Sequence, residues 1–211
     1  MTYRSPIEKK RRRIARLCTT AIILAGFIIL TLLDFPLLHL FYMGDERTVE
    51  NHDWYRMLRV VGYLGTWAVV GILFILHDRN RHRGAAVFLS ALTAGALAEL
   101  LKLIIGRERP VDGNQLQEGF YHFRPFLSGF TDGSNLGLPS SHAATAFGGC
   151  LMLAALLPNT RRFLILLALG CGITRMLTGA HFATDVYTGA ILGYLVSLLY
   201  TKLTPTRGAT A

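Results

Sequence analysis

Apolar residues fall in long runs along this chain, and short polar clusters separate them. The runs lack the strict amphipathic spacing of a helix that has one wet face. A span of about 18 or more apolar residues can cross a hydrocarbon core of roughly 30 Å. Six candidate spans can be drawn, at 16–33, 57–76, 84–105, 141–157, 163–178 and 182–203, the fourth and fifth being short. Backbone polar groups cannot stay unpaired in lipid, so the spans are expected to be helices. The pattern predicts an all-α polytopic membrane protein with residues 1–203 as a single domain and a disordered tail over 204–211. Two connections stand out. Residues 34–56 are acidic and aromatic, and residues 106–138 form a longer loop rich in Gly, Pro and aromatics. A loop of that length between spans is usually functional, and its composition suggests a compact flap at the membrane interface.

Composition supports this reading. Hydrophobic residues make up 52% of the 211, charged residues only 17%, and mean hydropathy is +0.39. A soluble domain carries nearer a quarter charged residues. The net charge of +9 could suggest nucleic acid, but its distribution argues otherwise. The basic residues cluster between apolar runs, with no aromatic-interleaved basic face, so nucleic acid is not an expected partner. With the N-terminus in the cytoplasm, 14 of the 22 Lys and Arg residues lie on the cytoplasmic side and 8 on the other. The positive-inside rule favours that orientation, with both termini cytoplasmic. The segment "KKRRR" at 9–13 resembles a signal-peptide n-region, but no clear cleavage site follows, so an uncleaved first span is expected. Cys18, Cys150 and Cys171 all fall in apolar runs, where they read as small buried hydrophobes and not as a disulfide or metal set.

Ionisable residues at membrane depth are costly and are functional candidates by default. Here they are Glu99, Lys102, Arg175, His181 and Asp185, with His142 at the tip of the fourth span and Arg107 and Arg109 just beyond the third. Under the topology above, all but Glu99 lie near the outer end of a span. Lys102, Arg107, Arg109 and Arg175 supply point charges and guanidinium forks suited to a phosphate. Ser140 and Ser141 open the fourth span, where free backbone N–H groups and the helix dipole favour an anion. His181 and Asp185 are four apart, which on a helix places them on one face. A carboxylate on one imidazole nitrogen leaves the other as acceptor or nucleophile. His142 is a second imidazole, available as general acid. Glu99 lies one turn before Lys102 and is expected to pair with Lys102 or Arg175. Arg107 reads as either a headgroup anchor or a substrate contact. His122 and Arg124 read as loop packing or headgroup contacts.

Three motifs then fall in order: "KLIIGRERP" from Lys102 to Pro110, "PSSH" from Pro139 to His142, and "TRMLTGAHFATD" from Thr174 to Asp185. Together they resemble the type 2 phosphatidic acid phosphatase superfamily, membrane lipid phosphatases related to vanadium haloperoxidases. Ser141 stands where that family usually has glycine, and Thr174 where it usually has serine. The resemblance implies six spans, no metal and no other cofactor. It makes His181 the nucleophile that forms a phosphohistidine, Asp185 its orienting carboxylate and His142 the acid for the leaving oxygen. Lys102, Arg109, Ser140, Ser141 and Arg175 would hold the phosphoryl oxygens. The expected substrate is a lipid phosphate or pyrophosphate at the periplasmic face of a bacterial inner membrane, with membrane lipids as surroundings. Undecaprenyl pyrophosphate, phosphatidylglycerol phosphate, phosphatidic acid and lipid A phosphates stay open, as does oligomeric state. A lipid phosphotransferase using the same site is the alternative. An anion transporter fits less well, because the polar residues gather at one end and not at mid-membrane.

Overall fold

The computed structural model describes residues 6–44, 46–78, 80–110 and 115–204. Those residues form helices α1 (Pro6–Phe41), α2 (Glu46–Val49), α3 (Asp53–Arg59), α4 (Leu64–His77), α5 (Arg81–Ile105), α6 (Gln115–Glu118), α7 (Ser141–Leu156), α8 (Arg161–Leu177) and α9 (Ala183–Leu203). No strand occurs among the described residues, and the chain is all-α as expected. Three helices are long and apolar enough to cross a membrane alone: α1 from Arg13, α5 and α9. A fourth span results if Asp53–Gly62 and α4 count as one segment bent by 70°. The helix α7 is apolar but only 16 residues long, and α8 has 17 residues.

The second expected span, 57–76, is not one continuous helix. It breaks at Tyr63, whose backbone is extended (φ −87°, ψ 135°). The cause lies next door at Gly62, where a Cβ would fall 2.8 Å from Cys171 Sγ and 2.9 Å from His142 Cβ. The chain passes too close to α7 and α8 there for a side chain. Carbonyls freed by the break are recovered by side chains. Thr66 Oγ1 donates to Val60 O at 2.6 Å, and Trp67 Nε1 donates to Val61 O at 2.8 Å.

The first span also differs. It runs on to Phe41, so Asp34 belongs to a helix and not to an outer loop. The run after Asp34, "FPLLHLF", resumes apolar character, which is enough to continue the helix. The "KKRRR" cluster lies in the same helix. Cys18 is exposed on it, against expectation, because α1 is peripheral and most of its apolar side chains face outward. Cys150 and Cys171 are buried. Of the expected tail, Thr204 is buried and residues 205–211 lie outside the described residues.

At the centre is α7, in contact with α5, α8 and α9. Small residues allow this. A Cβ on Gly189 would meet Ser140 O at 2.3 Å, one on Gly193 would meet Ala144 O at 2.6 Å, and one on Gly148 would meet Ser90 O at 2.9 Å. Membrane helices without a hydrophobic driving force between them gain from such close backbone approach. Against α9, α1 uses Gly26 to admit Tyr187, whose hydroxyl donates to Ile23 O at 3.1 Å. Large apolar side chains such as Ile22, Leu32, Leu76, Leu166 and Leu203 point outward, as lipid-facing surfaces require.

Candidate active site

The chemistry-bearing residues gather at one end of the bundle, where α5 finishes and α7 and α9 begin. Ser140 is the N-cap of α7, its hydroxyl accepting from Ala143 N at 3.4 Å. Its own N–H donates to Asp185 O at 2.9 Å, which ties the first turn of α7 to the first turn of α9. Ser140 is fully buried, so its side chain serves the helix. The next hydroxyl, Ser141 Oγ, accepts from Lys102 Nζ at 3.0 Å. The serine that replaces glycine in "PSSH" thus helps to hold the lysine. Lys102 also donates to Glu99 Oε1 at 2.9 Å, the pairing expected from their spacing. Because Glu99 is largely exposed, that pair adds little to stability and mainly fixes the lysine's direction.

His181 is buried in the turn between α8 and α9, and not on the helix with Asp185. The reason is a cap: Asp185 Oδ2 accepts from Phe182 N at 2.9 Å, so α9 begins at Ala183. The two side chains still come close. His181 Nδ1 lies 3.4 Å from Asp185 Oδ2 without forming a hydrogen bond, and it has no other partner. Catalytic hydrogen bonds are often loose without substrate and tighten when it binds. Burial pushes the His181 imidazole below its ordinary pKa, and Asp185 opposes the shift without cancelling it. A neutral ring with Nδ1 toward the carboxylate leaves Nε2 as the acceptor.

His142 occupies the first turn of α7. Its ring stacks edge-on against Tyr63, 5.3 Å between centroids, and its buried Nε2 has no hydrogen-bond partner. A buried polar atom left this way is costly unless something else takes it up. Arg175, Arg59 and Lys102 are charged groups within its electrostatic reach, and the His181 ring lies close as well. A cleft of about 320 Å³ opens beside it, lined by Gly62, Tyr63, Leu64, Ala91, Leu92, Gly95, Ala96, Glu99, Ser141, His142 and Thr145. A larger cavity of about 480 Å³ lies among Leu73, Phe74, His77, Asp78, Arg83, Leu156 and Leu157, at the other end of the bundle. Its lining sets His77 beside Asp78, but Asp78 is paired with Arg83 at 3.1 Å and no motif residue lies there, so size does not locate the chemistry.

Arg175 is buried near the end of α8 and donates to Tyr55 Oη at 3.3 Å. Thr174 Oγ1 donates to Cys171 O at 2.6 Å, a bond inside its own helix. Arg109 is half-buried in the loop, its Nε reaching Leu136 O at 3.4 Å. The loop is a compact knot, as expected. Glu108 N donates to His122 O at 3.0 Å, Arg124 N to Gly106 O at 2.9 Å and Gly137 N to Arg107 O at 2.7 Å. His122 pairs with Glu118 at 2.6 Å and Arg124 with Glu108 at 2.8 Å, so both serve loop packing. Residues 111–114 of the loop lie outside the described residues.

Arg107 is neither an exposed anchor nor part of the cleft lining. It is buried, with Nη2 donating to Asp185 Oδ1 and, at 2.7 Å, to Thr184 Oγ1. Sequence reading missed its other neighbours. Asp34 from α1 is fully buried, accepting from Thr184 N at 2.9 Å, from Thr184 Oγ1 and from Tyr121 Oη at 3.0 Å. The available signal was a carboxylate inside an apolar run that continues past it.

No solved structure gives a significant match. Two curated relatives, named lipid A 1-phosphatases, come from Rhizobium johnstonii and Rhizobium etli. Each is 37% identical over 116 residues, which is 55% of this chain and 46% or 48% of the relative. The match thus spans about half the length of those relatives. The family model of the PAP2 superfamily matches residues 83–209, which include α5 from Arg83 onward, α7, α8, α9 and every motif residue from Lys102 to Asp185, and the chain belongs to that superfamily.

Proposed function

We propose that this protein is an integral membrane lipid phosphatase that cleaves a phosphomonoester or pyrophosphate of a lipid through a phosphohistidine on His181. The observation that carries the reading is the buried His181–Asp185 pair beside His142, whose Nε2 lacks a partner, with Lys102 and Arg175 close by. His181 Nε2 attacks phosphorus and the P–O bond to the lipid breaks. His142 must then be protonated, and it gives its proton to the leaving oxygen. Asp185 steadies the positive charge that builds on the His181 ring. Lys102, Arg109, Arg175 and the Ser141 N–H offset charge on the phosphoryl oxygens, and Ser140 acts by fixing the helix end that presents that N–H. Water, deprotonated by His142, then attacks phosphorus, the P–N bond breaks and phosphate leaves. No metal takes part in these steps.

The lipid A 1-phosphatase name of the relatives puts a lipid A phosphate first among the candidate substrates. Undecaprenyl pyrophosphate, phosphatidylglycerol phosphate and phosphatidic acid complete the test panel. Six membrane passages, with α7 and α8 as the short ones, would place the site at the periplasmic face of an inner membrane and both termini in the cytoplasm.

The test is phosphate release in detergent with EDTA, from that panel, by wild type and His181→Ala. Release that survives EDTA and vanishes in the variant is expected. Release that needs a divalent ion, or that persists in His181→Ala, would refute the mechanism. No release from any lipid by folded wild type would refute the hydrolase reading and favour transfer to an acceptor hydroxyl.

A further inference from the structure

A carboxylate fully buried on α1, with no place in the motifs, needs an explanation. Burying an ion is costly unless its partners satisfy it. Asp34 has such partners, and they all lead to one place. Thr184, which immediately precedes Asp185, gives it both its N–H and its hydroxyl. The same hydroxyl accepts from Arg107 Nη2. Tyr121 from the loop donates to Asp34 Oδ2, the oxygen that also accepts from the Thr184 hydroxyl. Arg107 Nη1 is 3.8 Å from Asp34 Oδ2, while Nη2 bonds Asp185 Oδ1. The guanidinium is packed between the Tyr121 and Phe182 rings, 5.0 and 5.1 Å from their centroids. It is thus a fixed cation between two fixed carboxylates. One of them, Asp185, faces the His181 ring, its Oδ2 3.4 Å from Nδ1. None of Asp34, Arg107 and Thr184 lines the cleft beside His142, and Asp34 lies outside the stretch matched by the superfamily.

We infer that Asp34, acting through Arg107 and Thr184, sets how strongly Asp185 draws on the His181 imidazole, and is a positioning residue for that pair. This rests on the phosphatase reading above. Arg107 divides its charge between two carboxylates. Without the Asp34 charge, all of it falls on Asp185, which becomes a weaker acceptor for the His181 Nδ1 proton. Positive charge building on the ring during attack on phosphorus is then less well stabilised. The side chains of Asp34, Arg107 and Thr184 bond to one another, to Tyr121 and to Asp185, and not to Lys102 or Arg109, so binding of the phosphate is expected to change little. The loss therefore belongs in kcat and not in KM.

The experiment compares wild type, Asp34→Asn, Arg107→Gln and the double variant on the best lipid of the panel. Asp34→Asn is expected to lower kcat about tenfold with KM within about twofold. In the Arg107→Gln background the same change is expected to cost less than about twofold, since the intermediary is gone. An unchanged kcat, or an equal loss in both backgrounds, would overturn the inference. Thr184→Val removes only the bridging hydroxyl and serves if Asp34→Asn does not fold. A roughly threefold fall in kcat is expected there, and none would count against the network. The ¹⁵N shifts of the His181 ring, which report its tautomer, are read on the same samples. They are expected to move in Asp34→Asn, and identical shifts would overturn the inference even if wild type released no phosphate. A silent wild type would itself refute the phosphatase reading alone.

Discussion

In the proposed mechanism His181 must be neutral to attack phosphorus, and its surroundings favour that form. Burial outweighs the pull of Asp185, so the ring protonates below the ordinary imidazole value near 6.5. The sign follows directly. As pH falls through 6.5 an exposed histidine would become charged and inert, but His181 stays neutral into the acid range. After correction for the substrate phosphate, which titrates near 6, the acid limb of kcat/KM is expected below pH 6.5. A limb at or above that value would mean that the carboxylate, and not burial, governs the ring. Part of this was legible from spacing: the Glu99–Lys102 pair and the Ser140 cap follow from intervals of three residues, whereas His181 and Asp185 come close although His181 lies off the helix. Arg107 and Asp34 did not yield to that reasoning. Their partners, Asp185 and Thr184, are 78 and 150 residues away in sequence, and no local interval encodes such a meeting.

At the scale of elements, the site depends on how closely α9 can approach the first turn of α7. Gly189 faces Ser140 O across that junction, and any Cβ there would lie 2.3 Å from the carbonyl. Backbone must move to admit a side chain. Gly189→Val is therefore expected to cost about 1–3 kcal/mol of stability and to reduce kcat by about a hundredfold, since displacement of about 1 Å at a reacting centre has that effect. Gly65→Ala is the control, because nothing lies within 4 Å of its added methyl. Thermal unfolding and turnover on both variants decide the matter, and a Gly189→Val protein as active as the control would show that the two helix ends are not rigidly coupled. The existence and type of the helices were readable because apolar runs separated by basic clusters leave few alternatives. The break at Tyr63 was not readable. It is imposed from outside the segment, by Cys171 and His142 crowding Gly62, and the local sequence stays apolar through it.

For the whole molecule, the distribution of charge carries an argument about sidedness that the folded arrangement sharpens. The sequence count set 14 basic residues against 8. Three of the eight, Lys102, Arg107 and Arg175, are buried in the candidate site and cannot act as free anchors. Arg124 is tied to Glu108 and Asp132. At the opposite end, Arg13, Arg16, Arg81, Arg161, Arg162 and Lys202 are all exposed. The effective asymmetry is thus larger than the count, and positive-inside physics favours the candidate site on the outer face. Cysteine labelling reads this directly. Asp132 is exposed in the loop at the site end, and Asn159 is exposed in the turn between α7 and α8 at the other. In a Cys18→Ser background, with Cys150 and Cys171 buried, a membrane-impermeant maleimide added to spheroplasts is expected to label Asp132→Cys and spare Asn159→Cys until the membrane is broken. The reverse pattern would place the phosphohistidine chemistry in the cytoplasm. Labelling of both in intact spheroplasts would mean that α7 and α8 do not separate the two faces, and that the six-span arrangement is wrong.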